Sequence, residues 1–158
     1  NDRELWENGT TNMPYSRFFL REYISSVTGD IYTDKQVRLM VNNGDGDVVG
    51  IVDMFNFNPQ HRRAEVGIVI SRRYRDLGYG QAVLRDLTAY ARDVLHLHQL
   101  YAIARLDNAA CIRRFEDSGF HRGAVLKDWL SDGENFHDAV MLYFFVKRRE
   151  KVCSSDRI

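Results

Sequence analysis

Cysteine is scarce in this chain, and its two copies suggest neither a disulfide framework nor a metal site. Cys111 and Cys153 lie far apart, and neither belongs to a CxxC or Cys/His spacing typical of zinc ligands. Lone cysteines favour a reducing compartment, so we expect a cytoplasmic protein. Long apolar runs are also lacking and no signal peptide is evident, so the sequence predicts no membrane-spanning helix.

An excess of charge of either sign is absent as well, because 22 Lys and Arg residues balance 22 Asp and Glu residues. A net charge of zero argues against broad electrostatic attraction to nucleic acid or to an anionic membrane, and we predict neither as a partner. The 158 residues suit one domain, at 1–158, with a single core. The charged end of the chain, at 147–158, is expected to be frayed.

Proline is rare too, so few residues interrupt the regular patterns in the first half of the chain. Apolar residues recur at helical spacing after Ser16, a candidate N-cap, and predict a helix over 16–27. Alternating apolar residues on both sides of the turn NNGDGD predict a β-hairpin at 37–57. The stretch AEVGIVI, at 64–70, predicts a third strand.

The second half of the chain alternates helices and strands. An apolar stripe from Gly80 onward predicts an amphipathic helix, and HQLYAIARL predicts the next strand. A second helix begins after Asn108, a candidate cap, and ends at Gly119. AVLKDWL and AVMLYFFV then form a final hairpin around the turn SDGE. This order of elements predicts an α/β fold with a mixed sheet.

The turn RDLGYG, between the third strand and the helix after it, has the composition of a phosphate-binding turn. The first N–H groups of a helix carry partial positive charge, and glycines let an anion approach the backbone closely. Arg72, Arg73 and Arg75 add donors of charge-assisted hydrogen bonds. The alternative is a tight strand-to-helix turn with solvated arginines. The P-loop motif and the GxGxxG fingerprint are both absent.

Together with its surroundings, this turn resembles one protein family. RDLGYG matches the acetyl-CoA signature Q/R-x-x-G-x-G/A of the GNAT family of N-acetyltransferases, which lies between their fourth strand and third helix. The stretches HRRAEVGIVISRRYRDLGYGQAVL, HQLYAIARLDNAACIRRFEDSGF and AVLKDWLSDGENFHDAVMLYFF are similar to the branch of spermidine acetyltransferases and ribosomal-protein N-terminal acetyltransferases. The resemblance extends from about residue 37 to residue 146.

This resemblance implies an α/β fold whose mixed, mostly antiparallel sheet is flanked by helices. Family members usually open with a strand that leads into the first helix, whereas this chain starts close to that helix, at NDRELWENG. We therefore expect the first strand to be missing here or to precede Asn1, which would leave the next strand with an exposed edge. Relatives are commonly homodimers, and the final hairpin is the contact expected here.

The family also implies acetyl-CoA as cosubstrate, no metal, and direct attack of a neutral amine on the thioester in a ternary complex. The residues expected to bind acetyl-CoA are strand residues along the pantetheine arm, the backbone of the turn at the pyrophosphate, nearby arginines and an asparagine on the pantetheine. They are Ile68, Val69, Ile70, Leu77, Gly78, Tyr79, Gly80, Gln81, Arg73, Arg75, Arg113 and Asn108. Asn108 also fits a helix cap only, and Arg113 also fits a solvated helix face.

Three residues are candidates for the base that takes the proton of the amine. Glu65 comes first, because a carboxylate among apolar strand residues should have a raised pKa. The alternative for Glu65 is a structural carboxylate bonded to a neighbouring strand. Asp53, on the adjacent predicted strand, is the second candidate and His61, in a loop, is the third.

The general acid is where this sequence departs from its relatives. Many members have a tyrosine on the helix after Asn108, and in NAACIRRFEDSGF that position is Phe115. A phenyl ring cannot donate a proton. Either the thiolate leaves with help from water or a backbone amide, or another hydroxyl, such as that of Tyr143, substitutes.

The resemblance leaves the acceptor open between a small amine or polyamine and the N-terminus of a peptide. A polyamine would need carboxylates and aromatic rings, and Asp128 and Trp129 in the final hairpin are the candidates. The same acidic residues also suit an ordinary turn. Because of Phe115, a catalytically silent CoA-binding module is a third possibility.

Overall fold

Segments with alternating apolar residues form strands, and segments with helical spacing form helices, over the described residues, 18–22 and 31–147, of the computed structural model. A short 3-10 turn, Arg72–Tyr74, precedes the second helix. In chain order the elements are β1 (Phe18–Glu22), α1 (Ile31–Asp34), β2 (Val37–Asn43), β3 (Val48–Asn58), β4 (Arg63–Ile70), α2 (Tyr79–Asp93), β5 (Gln99–Arg105), α3 (Ala109–Asp117), β6 (His121–Ser131) and β7 (Phe136–Phe145).

The strands form a seven-stranded sheet in the order β1-β2-β3-β4-β5-β7-β6. Among the described strands, β4 and β5 pair in parallel and the other neighbouring strands are antiparallel. The predicted α/β fold with a mixed, mostly antiparallel sheet is therefore confirmed. The two predicted hairpins are present as β2–β3 and β6–β7.

The predicted helix near the start of the chain is wrong over Phe18–Glu22, which is strand β1. This strand pairs antiparallel with β2, with Phe18 opposite Asn43 and Glu22 opposite Leu39. Pairing with a distant strand has overridden the local helical spacing, and the aromatic start of FFLRE suits a strand. The expected exposed edge is therefore also wrong, because β1 covers the edge of β2. Ser16 and the rest of the predicted helix lie outside the described residues, as does 148–158 of the tail.

The core lies between one face of the sheet and the two longer helices. Helix α2 buries the predicted stripe, with Val83, Leu84 and Leu87 almost fully inaccessible to solvent. From the sheet, the side chains of Met54 and Leu100 belong to the same buried cluster. Since these helices follow β4 and β5, packing them on the sheet brings both helix starts to the carboxyl ends of those strands.

One close approach inside the sheet depends on glycine. A Cβ on Gly50 of β3 would lie 2.5 Å from the carbonyl oxygen of Val69 on β4, whereas a Cβ on Gly67 would meet Phe55 at an ordinary 3.5 Å. We expect Gly50→Ala to lower the free energy of unfolding by about 1–3 kcal/mol, because backbone rather than a flexible side chain must move. Chemical denaturation checks this, with Gly67→Ala as the matched control. Equal stability of the two variants would contradict the expected clash.

Candidate active site

Strands β4 and β5 pair only at their beginnings. The parallel register covers Arg63 with Gln99, Ala64 with Leu100 and Glu65 with Tyr101, and no further pairs follow. The two strands therefore part beyond Glu65 and leave a wedge that opens toward their carboxyl ends. Wedges of this kind expose backbone groups inside a sheet that an extended ligand can pair with.

Alternate residues of β4 point their backbone N–H and C=O groups into this wedge. The N–H of Ser71 donates to the carbonyl of Val49 on β3 at 2.8 Å. Because backbone groups alternate sides along a strand, those of Val69 face β3 and those of Ile68 and Ile70 face the wedge. Consistent with this, the carbonyl of Ile70 accepts a hydrogen bond from Nε of Arg75 at 3.1 Å. Two of the three strand residues predicted to bind acetyl-CoA, Ile68 and Ile70, thus have backbone groups that face the wedge, although Arg75 already occupies the carbonyl of Ile70.

Helix α2 begins without a side-chain cap at the open end of the wedge. Gly78 precedes the helix in the left-handed conformation, at φ 85° and ψ 0°, where a residue with a Cβ is strained. The first intrahelical bond runs from the N–H of Ala82 to the carbonyl of Gly78, at 3.1 Å. The N–H groups of the preceding first turn have no partner inside the helix, and they concentrate partial positive charge.

A cavity of about 760 Å³ lies between the starts of α2 and α3. Most of the predicted turn contributes to its wall, together with residues of α3 and β6 that the motif did not indicate. Its lining includes Ile70, Tyr74, Arg75, Asp76, Gly78, Tyr79, Gly80, Gln81, Ala109, Ala110, Arg113, Arg114, Glu116, Asp117 and Arg122. The structure thus brings together seven of the predicted cofactor-binding residues: Ile70, Arg75, Gly78, Tyr79, Gly80, Gln81 and Arg113.

The other predicted cofactor-binding residues, Ile68 included, do not line the cavity. The side chains of Val69 and Leu77 are 65% and 55% exposed. The guanidinium of Arg73 lies over the Tyr74 ring, 5.6 Å from its centroid. Asn108 caps α3 by accepting the N–H of Cys111 at 3.2 Å, which leaves its amide NH₂ available beside the cavity wall formed by the next two residues.

Four arginines and three carboxylates line the cavity, which leaves a small excess of positive charge. Arg122 is paired with Glu116 at 3.2 Å, whereas Arg113 and Arg114 have no ion-pair partner within the described part of the chain. The Arg114 side chain crosses Gly80, so that a Cβ there would lie 2.9 Å from its Cδ. The unpaired guanidinium groups and the positive start of α2 repel each other. An anion bound between them would relieve that repulsion. The arrangement therefore suits a phosphate group.

Glu65 lies where β4 and β5 part, and it is half-buried. Its Oε1 accepts a hydrogen bond from Nδ2 of Asn56 at 3.1 Å. Burial raises the pKa of the Glu65 carboxyl above its ordinary value, and the bond from Asn56 opposes part of that rise. Tyr101 stands opposite on β5, and burial followed by the charge of Glu65 raises the pKa of its hydroxyl. A carboxylate with a raised pKa in this place has the properties of a proton acceptor.

The other two candidate bases are engaged elsewhere. Both carboxylate oxygens of Asp53 are held by the guanidinium of Arg38, at 2.7 and 3.1 Å. His61 lies exposed in the turn between β3 and β4, where its backbone N–H donates to Asn58. Of the three candidates, Glu65 alone lies at the start of the wedge, although it is not among the residues that line the cavity.

No hydroxyl is found at the position of the family's tyrosine. Phe115 is only 2% exposed and its ring meets Phe120 edge-on, with centroids 5.0 Å apart. Tyr143 lies on β7 opposite Tyr101, and its ring contacts those of His121 and Phe145 rather than the cavity.

The predicted acceptor residues lie apart from the cavity, on the β6–β7 hairpin. Asp128 has a left-handed backbone, at φ 48°, within an irregular stretch of the β6–β7 pairing, and its N–H donates to Asp138. The Trp129 ring is 56% exposed. Neither residue is among those that line the cavity.

Two kinds of feature are not found in the described part of the chain. None of its helices has the length and apolar character that crossing a membrane requires. Among the same residues, no three side chains of the metal-binding types lie close enough together to hold an ion.

A sheet that opens between two parallel strands onto an uncapped helix start can hold an extended ligand that carries an anionic group. The acetyltransferase (GNAT) domain family matches residues 1–121, and the chain belongs to that family. The family predicted from RDLGYG and its surroundings is thereby confirmed.

Named relatives represent both parts of the predicted branch. The chain is 23% identical to a spermidine N(1)-acetyltransferase of Vibrio cholerae, over 72% of this chain and 65% of the relative. It is 29% identical to the enzyme of that name from Escherichia coli, over 71% and 60%. A putative ribosomal N-acetyltransferase of Bacillus subtilis is 28% identical over 67% and 57%. The chain thus spans about three-fifths of the length of these relatives.

The fold is similar to that of a solved relative. The crystal structure of the spermidine N-acetyltransferase of Vibrio cholerae in complex with CoA and spermine superposes with a TM-score of 0.69. The match has 22% sequence identity and covers 73% of this chain and 69% of the other. At this identity the similarity establishes the fold.

Proposed function

We propose that this protein is a cytoplasmic, acetyl-CoA-dependent N-acetyltransferase that acetylates a primary amine of a small molecule or polyamine. The observation that carries the proposal is the wedge between β4 and β5, which opens onto the uncapped start of α2. An extended arm fits the first feature and a pyrophosphate fits the second. Acetyl-CoA has both an extended arm and a pyrophosphate, and membership of the GNAT family supports it as the ligand.

The residues of the chain divide the binding of acetyl-CoA between them. Ile68 and Ile70 pair with the pantetheine arm through their backbone groups, as an added strand would. The N–H groups from Gly78 to Gln81 bind the pyrophosphate, with Arg75, Arg113 and Arg114 as charged donors. The amide of Asn108 donates to the pantetheine while its oxygen remains the cap of α3.

Transfer requires that one proton be removed and one be supplied. The amine nitrogen forms a bond to the thioester carbon, the carbon–sulfur bond breaks, and Glu65 accepts the proton that the nitrogen loses. A backbone N–H of β4 stabilises the charge that develops on the carbonyl oxygen. The leaving thiolate receives a proton from water, because Phe115 has none to give and the Tyr143 ring lies away from the cavity.

A polyamine is the acceptor that the relatives support best. The proteins from Vibrio cholerae and Escherichia coli are named for spermidine, and the solved complex from Vibrio cholerae contains spermine. On this chain, Asp128 and Trp129 would receive an ammonium group of the acceptor through charge and ring contact. The peptide N-terminus is the second candidate, and similarity to a putative ribosomal N-acetyltransferase favours it.

Release of free thiol from acetyl-CoA tests the proposal directly. Polyamines, amino acids and N-terminal peptides are supplied as acceptors at equal concentration, and we expect the fastest release with spermidine or spermine. Release with peptides only would identify a peptide N-terminus as the acceptor and would still support acetyl transfer to an amine. Binding of acetyl-CoA without release for any acceptor would indicate the silent module instead.

The pH dependence of this reaction follows from the raised pKa of Glu65. Below its pKa the carboxyl is protonated and cannot accept a proton, so the rate should fall with acidity at a pH above the ordinary glutamate value of 4.5. We expect the plot of log kcat/KM against pH to bend at the pKa of Glu65 in the wild-type protein and to show no such bend in Glu65→Gln. The acceptor amine titrates in both proteins, so a bend common to both would assign it to the amine and contradict the role of Glu65.

We also propose that the chain forms a homodimer through the β6–β7 hairpin. Val125, Trp129 and Phe136 are large apolar side chains exposed on this hairpin. A solved spermidine N-acetyltransferase from Vibrio cholerae is described as dodecameric. Light scattering coupled to gel filtration distinguishes one chain from two, and Phe136→Ser should weaken the dimer.

A further inference from the structure

We infer that Asn56 is a positioning residue that orients Glu65 and keeps its carboxyl ready to accept a proton. This inference rests on the proposed function, in which Glu65 is the base. Asn56 could not be selected from the sequence, because it lies in a strand nine positions before Glu65. The contact exists because of an irregularity in the pairing of β3 with β4.

The irregularity directs Asn56 toward Glu65. In the regular register Phe55 stands opposite Glu65, so the next residue would point to the other face of the sheet. The register shifts between Phe55 and Asn58, and Asn56 adopts a left-handed backbone at φ 49°. Bulges of this kind redirect a side chain, and asparagine tolerates the left-handed conformation better than most residues. The Nδ2 atom thereby reaches Oε1 of Glu65 at 3.1 Å.

Asn56 also influences the opposite strand. Its side chain opposes part of the rise in the pKa of the Tyr101 hydroxyl, and Tyr101 stands opposite Glu65 on β5 at the last pair before the wedge. Tyr101 and Arg63 are the other titratable groups that influence this cluster. Asn56 therefore acts on groups of both β4 and β5 where these strands separate.

The hydrogen bond has two consequences for the carboxyl group. A donor to a carboxylate favours the ionised form, and it opposes the burial of Glu65. The bond also occupies Oε1 and leaves Oε2 without a hydrogen-bond partner from the described residues. Oε2 is then the oxygen that is free to accept a proton from the amine or from a bridging water.

Two substitutions at Asn56 separate this role from the backbone requirement. Asn56→Gly keeps the left-handed conformation accessible and removes the amide. Asn56→Asp keeps the size of the side chain and places a second carboxylate against the first. His96→Gly is the matched control, since His96 is also left-handed, at φ 53°, but lies in the turn after α2.

The pKa of the Glu65 carboxyl is measured by ¹³C NMR titration of glutamate-labelled protein, with its signal assigned by its loss in Glu65→Gln. We expect Asn56→Gly to raise this pKa because a hydrogen bond to the carboxylate is lost, and Asn56→Asp to raise it further because a second carboxylate then faces the first. The acid limb of log kcat/KM should move by the same amount. His96→Gly should change neither.

An unchanged carboxyl titration in both Asn56 variants would overturn the inference. So would a shifted titration in an active enzyme whose acid limb stays in place, because Asn56 would then influence Glu65 without influencing catalysis. If the wild-type protein transfers acetyl to no amine, the proposed function fails. The titration still shows separately whether Asn56 holds the carboxylate.

Discussion

Replacing Gly78 with tryptophan is expected to weaken the binding of acetyl-CoA at least ~100-fold, which corresponds to about 2.7 kcal/mol. The substitution acts in two ways. Gly78 has a φ of 85°, where any side chain is strained, so the turn before α2 must shift. The indole would also fill the cavity beside the first N–H groups of the helix, where we place the pyrophosphate. Isothermal titration calorimetry measures the affinity.

A matched control separates loss of the site from loss of the fold. Gly133 also has a left-handed backbone, at φ 98°, and a Cβ there would meet nothing within 4 Å. Gly133→Trp therefore brings a similar backbone penalty in the β6–β7 turn, away from the cavity. We expect it to bind acetyl-CoA with the affinity of the wild-type protein. Equal loss of affinity in both variants would show that strain alone, and not the site, explains the effect of Gly78→Trp.

Replacing Glu65 with glutamine should lower kcat by about 10²–10⁴-fold, the usual contribution of a general base. Glutamine has the same shape and can still accept the hydrogen bond from Asn56 through its oxygen, so the local structure should persist. Its amide cannot take up a proton at neutral pH. Stopped-time assays of thiol release give kcat, and calorimetry should give an affinity for acetyl-CoA within about twofold of wild type.

Asp53→Asn is the comparison for this variant. Asp53 lies on the neighbouring strand and is neutralised by Arg38, so its loss should cost kcat less than about tenfold. If Asp53→Asn has the larger effect, the base is Asp53 and not Glu65. If neither substitution lowers kcat, both carboxylates are structural and water alone removes the proton.

The sequence predicts local structure well where a short pattern determines it. Alternation defines β2, β3 and β4, and an apolar stripe defines α2, because both periods follow from the geometry of a single element. The left-handed glycines at 78 and 119 follow from turn and cap chemistry in the same way. Strand β1 was missed because its partner, β2, is about twenty residues away, and helical spacing carries no information on that pairing.

The candidate site, too, could be predicted only where a local pattern determines it. Arg75, Gly78 and Gly80 were recognised because the motif lies in one turn, and all three line the cavity. Arg122 comes to that cavity through the packing of β6, which no local pattern specifies. The contact between Asn56 and Glu65 depends on a shift in register that the alternation of β3 does not reveal.

The most direct measurement of the central claim is a calorimetric titration of the folded wild-type protein with acetyl-CoA. The account predicts saturable binding of one molecule per chain, weakened by salt because arginines contact the phosphates. It also predicts that the binding is lost in Gly78→Trp and kept in Gly133→Trp. Absence of acetyl-CoA binding by a chain whose circular dichroism shows an intact fold would contradict the assignment of the wedge and of the helix start.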